Sequence, residues 1–362
     1  MIIKPTTDMT LPWVDYSTMS AVNTCPRWGL INSWHGKKLS SGTDRVLPLE
    51  AGRAMHDVFA CCRLFDLLNS EWAKVQATGT GGPDVFHRIH AYAAKLLATA
   101  EYPDRWQQAL VYYDNKEDAE TRCMQMCLNL LETSGYHDDP RDTRRTQANL
   151  ESAAINYVQR YPLGRFIPIM TDTLIGIEVP FDVTLHTDSD DPVIRFIGRV
   201  DAVCRDTLRP NDPTPEVHEN KTGSRIDTVW SSSFDTSNQV TGYCVAMTCM
   251  LNMPVSNVVM WGLQIPVPKS GMYSEGVMRY PTSRNERSFF EWGQWVQHTF
   301  GIIMKYEEDP TNAPMYTHSC NRYFRSCSLI PLCCETPEQR KHIFDNEMTT
   351  NRWSPLTETL DP

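Results

Sequence analysis

The chain has 362 residues, 41% of them hydrophobic, which is enough apolar material for the core of one large domain or of two. It contains no run of about 18 apolar residues, which argues against a transmembrane helix, and its first residues predict no signal peptide. The net charge of −10 leaves nucleic-acid binding open, because a local groove can be basic on an acidic protein. We expect a cytoplasmic protein of a bacterium or a phage-infected cell.

Helical periodicity dominates the first part of the chain. A first helix is predicted over residues 15–35 and a second over residues 50–68, where apolar residues recur three or four positions apart. Residues 70–160 are polar, helical and interrupted, with loops predicted at 79–83 and 135–145. This stretch is predicted to be a helical insertion or arm within a single domain that spans the whole chain.

Near residue 174 the apolar residues begin to alternate, which is typical of strands. The predicted elements are, in chain order, strands 174–185, 193–205 and 216–222, a helix 233–251, a strand 258–267 and a helix 284–306. Their order predicts an α/β fold in which a mixed central sheet is flanked by helices.

Two of the predicted strands concentrate charged residues. Asp201 lies on one strand, and Glu219, Asn220 and Lys221 lie on the next. Alternate residues of a strand share a face, so Glu219 and Lys221 point the same way and Asn220 points the other way. Antiparallel pairing through the turn at 208–213 can bring Asp201 beside Glu219. Neighbouring carboxylates repel unless a cation lies between them, and a divalent ion would activate a water and neutralise phosphate charge.

Two further motifs flank this hairpin in the sequence. Gly52 and His56 form a G-x-x-x-H pattern in the second helix, and a histidine ligand would favour Mn²⁺ somewhat over Mg²⁺. Gln239 and Tyr243 lie four apart on the helix after the hairpin, so they share a face. Each motif alone has an ordinary interpretation: a solvated E-x-K strand, a partly buried histidine, and a Gln/Tyr pair at the edge of a core.

The ordered set G-x-x-x-H, G-R-V-D, E-N-K and Q-x-x-x-Y resembles the RecB-like branch of the PD-(D/E)XK nucleases. That branch includes the CRISPR-associated and AddB-type iron–sulfur exonucleases. The resemblance implies a restriction-endonuclease-like core and a Mg²⁺ or Mn²⁺ ion. Its implied ligands are His56, Asp201, Glu219 and the backbone carbonyl of Asn220. The resemblance does not cover residues 70–160.

The same resemblance assigns roles to the remaining motif residues. It implies that Asp201, Glu219 and Lys221 are catalytic, with Lys221 orienting the attacking water and stabilising the transition state. It implies that Gln239 and Tyr243 contact DNA near the site.

Four of the twelve cysteines are candidates for a metal cluster: Cys25, Cys320, Cys327 and Cys333. Three thiolates on one loop and a fourth from far away in sequence can complete a zinc or an iron–sulfur site. In the family that the chain resembles, one N-terminal and three C-terminal cysteines hold a 4Fe–4S cluster. This implies that a cysteine loop at 320–334 pairs with Cys25, with Cys334 as an alternative ligand to Cys333. Zinc and coincidental placement are the alternatives.

The other eight cysteines have apolar neighbours or lack a partner at a ligand-like spacing, so they are predicted to be small buried hydrophobic residues. They are Cys61, Cys62, Cys123, Cys127, Cys204, Cys244, Cys249 and Cys334.

The sequence therefore predicts a metal-dependent DNA nuclease, expected to be an exonuclease, that acts on single-stranded or end-bearing DNA in recombination, repair or replication. The chain contains no G-x-x-x-x-G-K-[ST] motif, so ATP-driven unwinding would come from a helicase or recombination partner. Two alternatives remain: a non-catalytic nucleic-acid-binding or complex-forming iron–sulfur module, and a structural zinc protein with incidental carboxylates.

Overall fold

The structure, a computed structural model, describes residues 2–39, 47–78, 83–96, 116–186, 192–267, 276–322, 325–352, 354 and 356. Within these ranges eight strands form one mixed sheet, and two small two-stranded sheets lie outside it. The strands are β1 (Ile2–Pro5), β2 (Trp13–Val14), β3 (Lys37–Leu39), β4 (Phe166–Pro168), β5 (Ile177–His186), β6 (Pro192–Asp206), β7 (Glu216–Gly223), β8 (Asn257–Gln264), β9 (Val277–Ser283), β10 (Asn321–Arg322), β11 (Arg325–Ser326) and β12 (Met348–Thr350).

The main sheet runs in the order β1-β5-β6-β7-β8-β9, and the short strands β2 and β4 also pair with β6. Neighbours along this order are antiparallel except β7 and β8, which are parallel. Six of the eight β8 residues are buried, as expected of a central strand that is covered on both faces.

The helices are α1 (Tyr16–Thr24), α2 (Pro26–Trp28), α3 (Leu47–Thr78), α4 (Pro83–Leu96), α5 (Lys116–Thr133), α6 (Gln147–Arg160), α7 (Thr228–Ser232), α8 (Asn238–Leu251), α9 (Glu286–Tyr306), α10 (Ile330–Cys333) and α11 (Pro337–Asn346). A π-helix, Gly29–Trp34, follows α2. The predicted α/β class, with a mixed central sheet flanked by helices, is confirmed.

Each face of the sheet supports its own hydrophobic core. In the first core, residues of α3, α5 and α6 pack with Val259 and Trp261 of β8. In the second core, residues of α1, α8 and α9 pack with Val258 and Met260 of the same strand. The described helices from residues 70–160 therefore contribute to this first core.

Several predicted boundaries were wrong. The helix predicted over 15–35 is interrupted at Cys25, whose extended backbone (φ −159°, ψ 108°) precedes Pro26, because a proline disfavours helical geometry in the residue before it. After this interruption the chain packs closely on α1 at Gly29. A side chain there would clash, because its Cβ would lie 2.3 Å from the backbone nitrogen of Val22. The second helix is longer than predicted and extends from Leu47 to Thr78.

Other differences concern elements that are short or lie at an edge. The helix predicted over 233–251 begins only at Asn238, as α8, and ends at Leu251 as predicted. The short helix α7 before it and strands β1 and β9 were not predicted. The loop predicted at 79–83 lies almost wholly outside the described residues, whereas the stretch 135–145 is irregular, as expected.

The C-terminal segment packs against the N-terminal one. Strand β12 pairs with β3, and Ile31 shares a small core with Leu332 and Phe344. The guanidinium carbon of Arg352 lies 3.7 Å from the ring centroid of Trp13. These contacts hold the two ends of the described chain together. No helix among the described residues has both the length and the apolar character needed to cross a bilayer.

Candidate metal centre

Asp201 and Glu219 come together where the β6–β7 ladder ends. The antiparallel pairing runs from Cys204 opposite Glu216 to Ala202 opposite His218. Beyond that point, the Asn220 backbone N–H donates to Asp201 Oδ2 across 2.6 Å, and Asn220 Nδ2 donates to the same oxygen across 3.1 Å. A strand residue directs its N–H and C=O to the same side, so the Asn220 carbonyl also faces β6.

His56 approaches Asp201 from helix α3. Its Nδ1 lies 3.5 Å from Asp201 Oδ1 and 3.5 Å from Glu178 Oε1. The ligand atoms of His56, Glu178 and Asp201 all lie within 4.8 Å of one another, a group that could hold a metal ion. The His56 side chain is 38% exposed, so the group opens to solvent on one side.

Glu178 is the site residue that the sequence analysis missed. It lies on β5 between Ile177 and Val179, which pair with Ala202 and Val200, and this places it across from Asp201. Its φ of +45° is rare for a residue with a side chain and costs about 1–3 kcal/mol.

The positive φ at Glu178 interrupts the regular alternation of side chains along β5. Ile177 and Val179 are two residues apart and would share a face on a regular strand. Here Ile177 packs in the first core and Val179 in the second. The left-handed conformation at Glu178 therefore directs its carboxylate into the gap beside Asp201. Residue types alone give no signal for such a backbone break.

The site carries an excess of negative charge. Burial and the Asp201 carboxylate raise the pKa of Glu219 to about 7, although Lys221 opposes this shift. Burial also raises the pKa of Glu178. Burial lowers the pKa of His56, but the Asp201 and Glu178 carboxylates outweigh it and raise that pKa to about 9. Protonation partly relieves the repulsion, and a divalent cation would relieve it more fully.

One atom lacks any partner in this crowded group. Glu219 is only 2% exposed, and among the described residues its Oε2 makes no hydrogen bond, while Oε1 accepts one from Lys221. Leaving a buried carboxylate oxygen unsatisfied is costly. The group of His56, Glu178 and Asp201 offers one imidazole and two carboxylates, and the Glu219 carboxylate and the Asn220 carbonyl lie on the neighbouring strand β7. Nitrogen and oxygen donors of this kind suit Mg²⁺ or Mn²⁺, so the residues fit the ion.

Lys221 lies at the open side of the group, with 33% of its side chain exposed. Burial lowers its pKa, but Glu219 and Asp201 outweigh that effect and raise it. The ammonium group is therefore protonated near neutral pH.

Tyr243 of α8 lies near the same group, and Gln239 of α8 contacts Tyr243. Gln239 Nε2 donates to the Tyr243 hydroxyl across 2.8 Å. Tyr243 is buried, and its pKa is raised by that burial and then by the Glu219 and Asp201 charges. The structure thus places Tyr243 near the carboxylates, with Gln239 bonded to its hydroxyl.

A buried polar network supports β7 from the opposite face. His218 Nδ1 accepts from Trp261 Nε1 and Arg63 Nη2, each across 3.0 Å, and its Nε2 lies 3.1 Å from Glu216 Oε1. Burial lowers the pKa of His218 to about 4, so the ring is neutral. These bonds fix the strand position from which Glu219 projects.

Asn220 connects this supporting side to the metal ligands. Its Oδ1 lies 3.4 Å from the Tyr157 hydroxyl of α6, on the face opposite Glu219, as the strand alternation predicts. Its Nδ2 nevertheless also reaches Asp201, which the sequence analysis did not foresee. The side chain thus bridges the helical insertion and a carboxylate of the site.

The four cysteines predicted to hold a cluster meet in one region. Cys25 is buried, and Cys320, Cys327 and Cys333 are half-buried. Partial burial, and then the neighbouring thiols of Cys25 and Cys333, raise the pKa of Cys320. Their sulfur atoms do not form one of the two compact ligand groups, of 4.8 Å or less, that the described residues contain. A four-iron cluster holds its thiolates farther apart than a single ion does, because its own iron and sulfide atoms lie between them.

The second compact group was not predicted as a site. Cys61, Cys123 and Cys127 are buried, as expected, but their sulfur atoms also lie within 4.8 Å of one another and could bind a metal ion or an iron–sulfur cluster. The sequence analysis treated these cysteines separately because Cys61 and Cys123 are far apart in the chain.

Comparisons with known proteins do not assign a family: no protein-family model matches the chain, and no curated protein matches it significantly.

Proposed function

We propose that the protein is a metal-dependent DNA nuclease with the hydrolytic site on the β5–β6–β7 strands. The observation that carries this proposal is the compact, partly open group of His56, Glu178 and Asp201. Glu219 lies on the neighbouring strand β7 with its Oε2 unsatisfied. Lys221 stands beside these ligands, paired with Glu219. This combination of hard ligands and an adjacent cation suits phosphodiester hydrolysis.

In this proposal the four side chains and the Asn220 carbonyl hold Mg²⁺ or Mn²⁺. When bound, the ion supplies an activated water and neutralises charge on the phosphate. Glu219 holds the Lys221 ammonium at the open edge, where it orients the water and donates to the phosphoryl oxygens as their charge grows. Gln239 and Tyr243 form the adjacent wall that would position the DNA strand.

The remaining parts of the proposal concern substrate, cluster and partners. We propose exonucleolytic action on single-stranded or end-bearing DNA, with a helicase or recombination protein as partner. Cys25, Cys320, Cys327 and Cys333 would hold a 4Fe–4S cluster that reinforces the contact already made between the N- and C-terminal segments.

The test is cleavage of end-labelled single- and double-stranded DNA by anaerobically purified protein with Mg²⁺, Mn²⁺ or EDTA. We expect metal-dependent products, and their size ladder separates cutting from an end from internal cutting. Lys221→Ala should lose the activity, because the ammonium acts on the reacting phosphate.

The matched control is Lys341→Ala, which removes an exposed lysine that pairs with Asp345. It should cut like the unchanged protein. Folded Lys221→Ala that cuts at full rate would contradict the proposal. DNA binding by the unchanged protein without metal-dependent cutting would favour the non-catalytic module.

A further inference from the structure

We propose that Cys61, Cys123 and Cys127, with the neighbouring Cys62 as fourth ligand, form a buried sulfur site that binds one Zn²⁺ ion and ties α5 to α3. This inference does not depend on the proposed nuclease activity. It concerns a different region, different ligand chemistry and a structural role.

The sulfur atoms lie close enough together for three of them to contact a single ion. A Zn–S bond of about 2.3 Å places two sulfurs of a tetrahedron about 3.8 Å apart. The sulfurs of Cys61, Cys123 and Cys127 lie within 4.8 Å of one another. Cys62 Sγ lies outside this compact group but 3.6 Å from Cys123 Sγ, which makes it the candidate for the fourth ligand. A four-iron cluster needs wider spacing, so these distances favour one ion.

The four cysteines come from two facing helices. Cys61 and Cys62 are consecutive on α3, and Cys123 and Cys127 lie one turn apart on α5 and therefore share its inner face. All four side chains have 0% exposure, so the site is sealed inside the first core. The one polar contact described for them outside the group is from Cys127 Sγ to the Val58 carbonyl, at 3.8 Å.

Buried thiols are also good hydrophobic residues, so the placement of these four is what favours a site. Cys204 and Cys244 are equally buried, yet neither approaches another sulfur in the described contacts. Burial raises the pKa of Cys61 and Cys62 well above the usual value, so the metal-free group is protonated. The ion replaces thiol protons, and its charge offsets two of the thiolate charges.

The consequence is a brace on the helix that carries His56. Cys61 and Cys62 follow His56 on α3, one to two turns further along. An ion there would fix α3 against the insertion helix α5, and α6, which packs beside α5 in the same core, carries Tyr157.

The experiment measures metal content and cobalt spectra of the full chain, purified anaerobically. We expect about one zinc per chain in addition to any iron. Cys123→Ser combined with Cys127→Ser should lose nearly all of this zinc, whereas Cys244→Ser should keep it. Cys320→Ser combined with Cys327→Ser should also keep it, because those sulfurs belong to the other group.

A second readout covers the case in which the double variant fails to fold. Unchanged protein stripped of metal under reducing conditions should bind one Co²⁺ and show the intense near-ultraviolet thiolate absorption of a cobalt–sulfur site. Folded, reduced protein that takes up neither zinc nor cobalt would overturn the proposal. Zinc that is lost only in the Cys320/Cys327 variant would overturn it as well.

Discussion

Helix α3 contributes to two groups of ligands that differ in chemistry and in access to solvent. Near its start, His56 is 38% exposed and joins Glu178 and Asp201, a set of nitrogen and oxygen donors. One to two turns later, Cys61 and Cys62 join a sulfur group with no exposed surface. An open site with hard donors can exchange its ion and admit a substrate, whereas a sealed thiol site can only hold the fold.

The comparison of these two sites shows that the presence of metal-binding side chains does not by itself make a site reactive. In the oxygen site, Glu219 Oε2 is unsatisfied, Glu178 has a strained backbone and Lys221 reaches solvent. In the sulfur site the described contacts join cysteines on regular helices, and nothing approaches from solvent. Strain and unmet bonding next to an opening are typical of functional sites.

The largest effect should follow from Asp201→Asn, which keeps the shape of the side chain but removes its charge. The open site loses the ligand that contacts both His56 and Asn220, so we expect cleavage to fall by at least about a hundredfold. Mn²⁺ binding, followed by calorimetry, should weaken in parallel. Zinc content should not change, because the thiol group lies elsewhere on α3. Loss of zinc in this variant would contradict the conclusion that the oxygen site and the thiol site bind their ions independently.

A smaller effect is expected from Asn220→Leu, which removes the bond from Nδ2 to Asp201 Oδ2 while the backbone N–H bond remains. Residues that orient metal ligands typically affect metal affinity or activity by about 10- to 100-fold. The readout is the Mn²⁺ affinity of the folded variant. Tyr157→Phe removes only a 3.4 Å contact to Asn220 and should change the affinity by less. Unchanged Mn²⁺ affinity in Asn220→Leu would show that Asn220 does not orient Asp201.

The most gradual effect, measured per pH unit, concerns pH. In the metal-free protein the facing carboxylates, acting against burial, raise the pKa of His56 to about 9. Below that pH the ion must displace a proton, so its apparent affinity should fall as the pH falls, by up to about tenfold per pH unit. Protonation of Glu219, whose pKa burial raises to about 7, should steepen the fall below neutrality. Mn²⁺ titrations between about pH 6 and 9 measure this slope, and an affinity independent of pH would contradict it.

The sequence predicted the α/β class and the pairing of the two charged strands, because strand alternation and a short turn determine which residues meet. It predicted that Asp201 lies beside Glu219 and that Gln239 and Tyr243 share one face of a helix. It missed Glu178, because an isolated positive φ leaves no periodic signal in a strand. It also missed the meeting of Cys61 with Cys123, because contacts between helices distant in sequence depend on packing. The interruption of the first helix at Cys25 follows from Pro26, because a proline disfavours helical geometry in the residue before it.

The most direct test is to measure Mn²⁺ binding and DNA cleavage on the same preparation of Lys221→Ala. Our account predicts that this variant binds Mn²⁺ about as well as the unchanged protein, because the ligand side chains remain, and that it does not cut DNA. Cleavage at the normal rate, with Mn²⁺ bound, would contradict the assignment of this site as the nuclease centre.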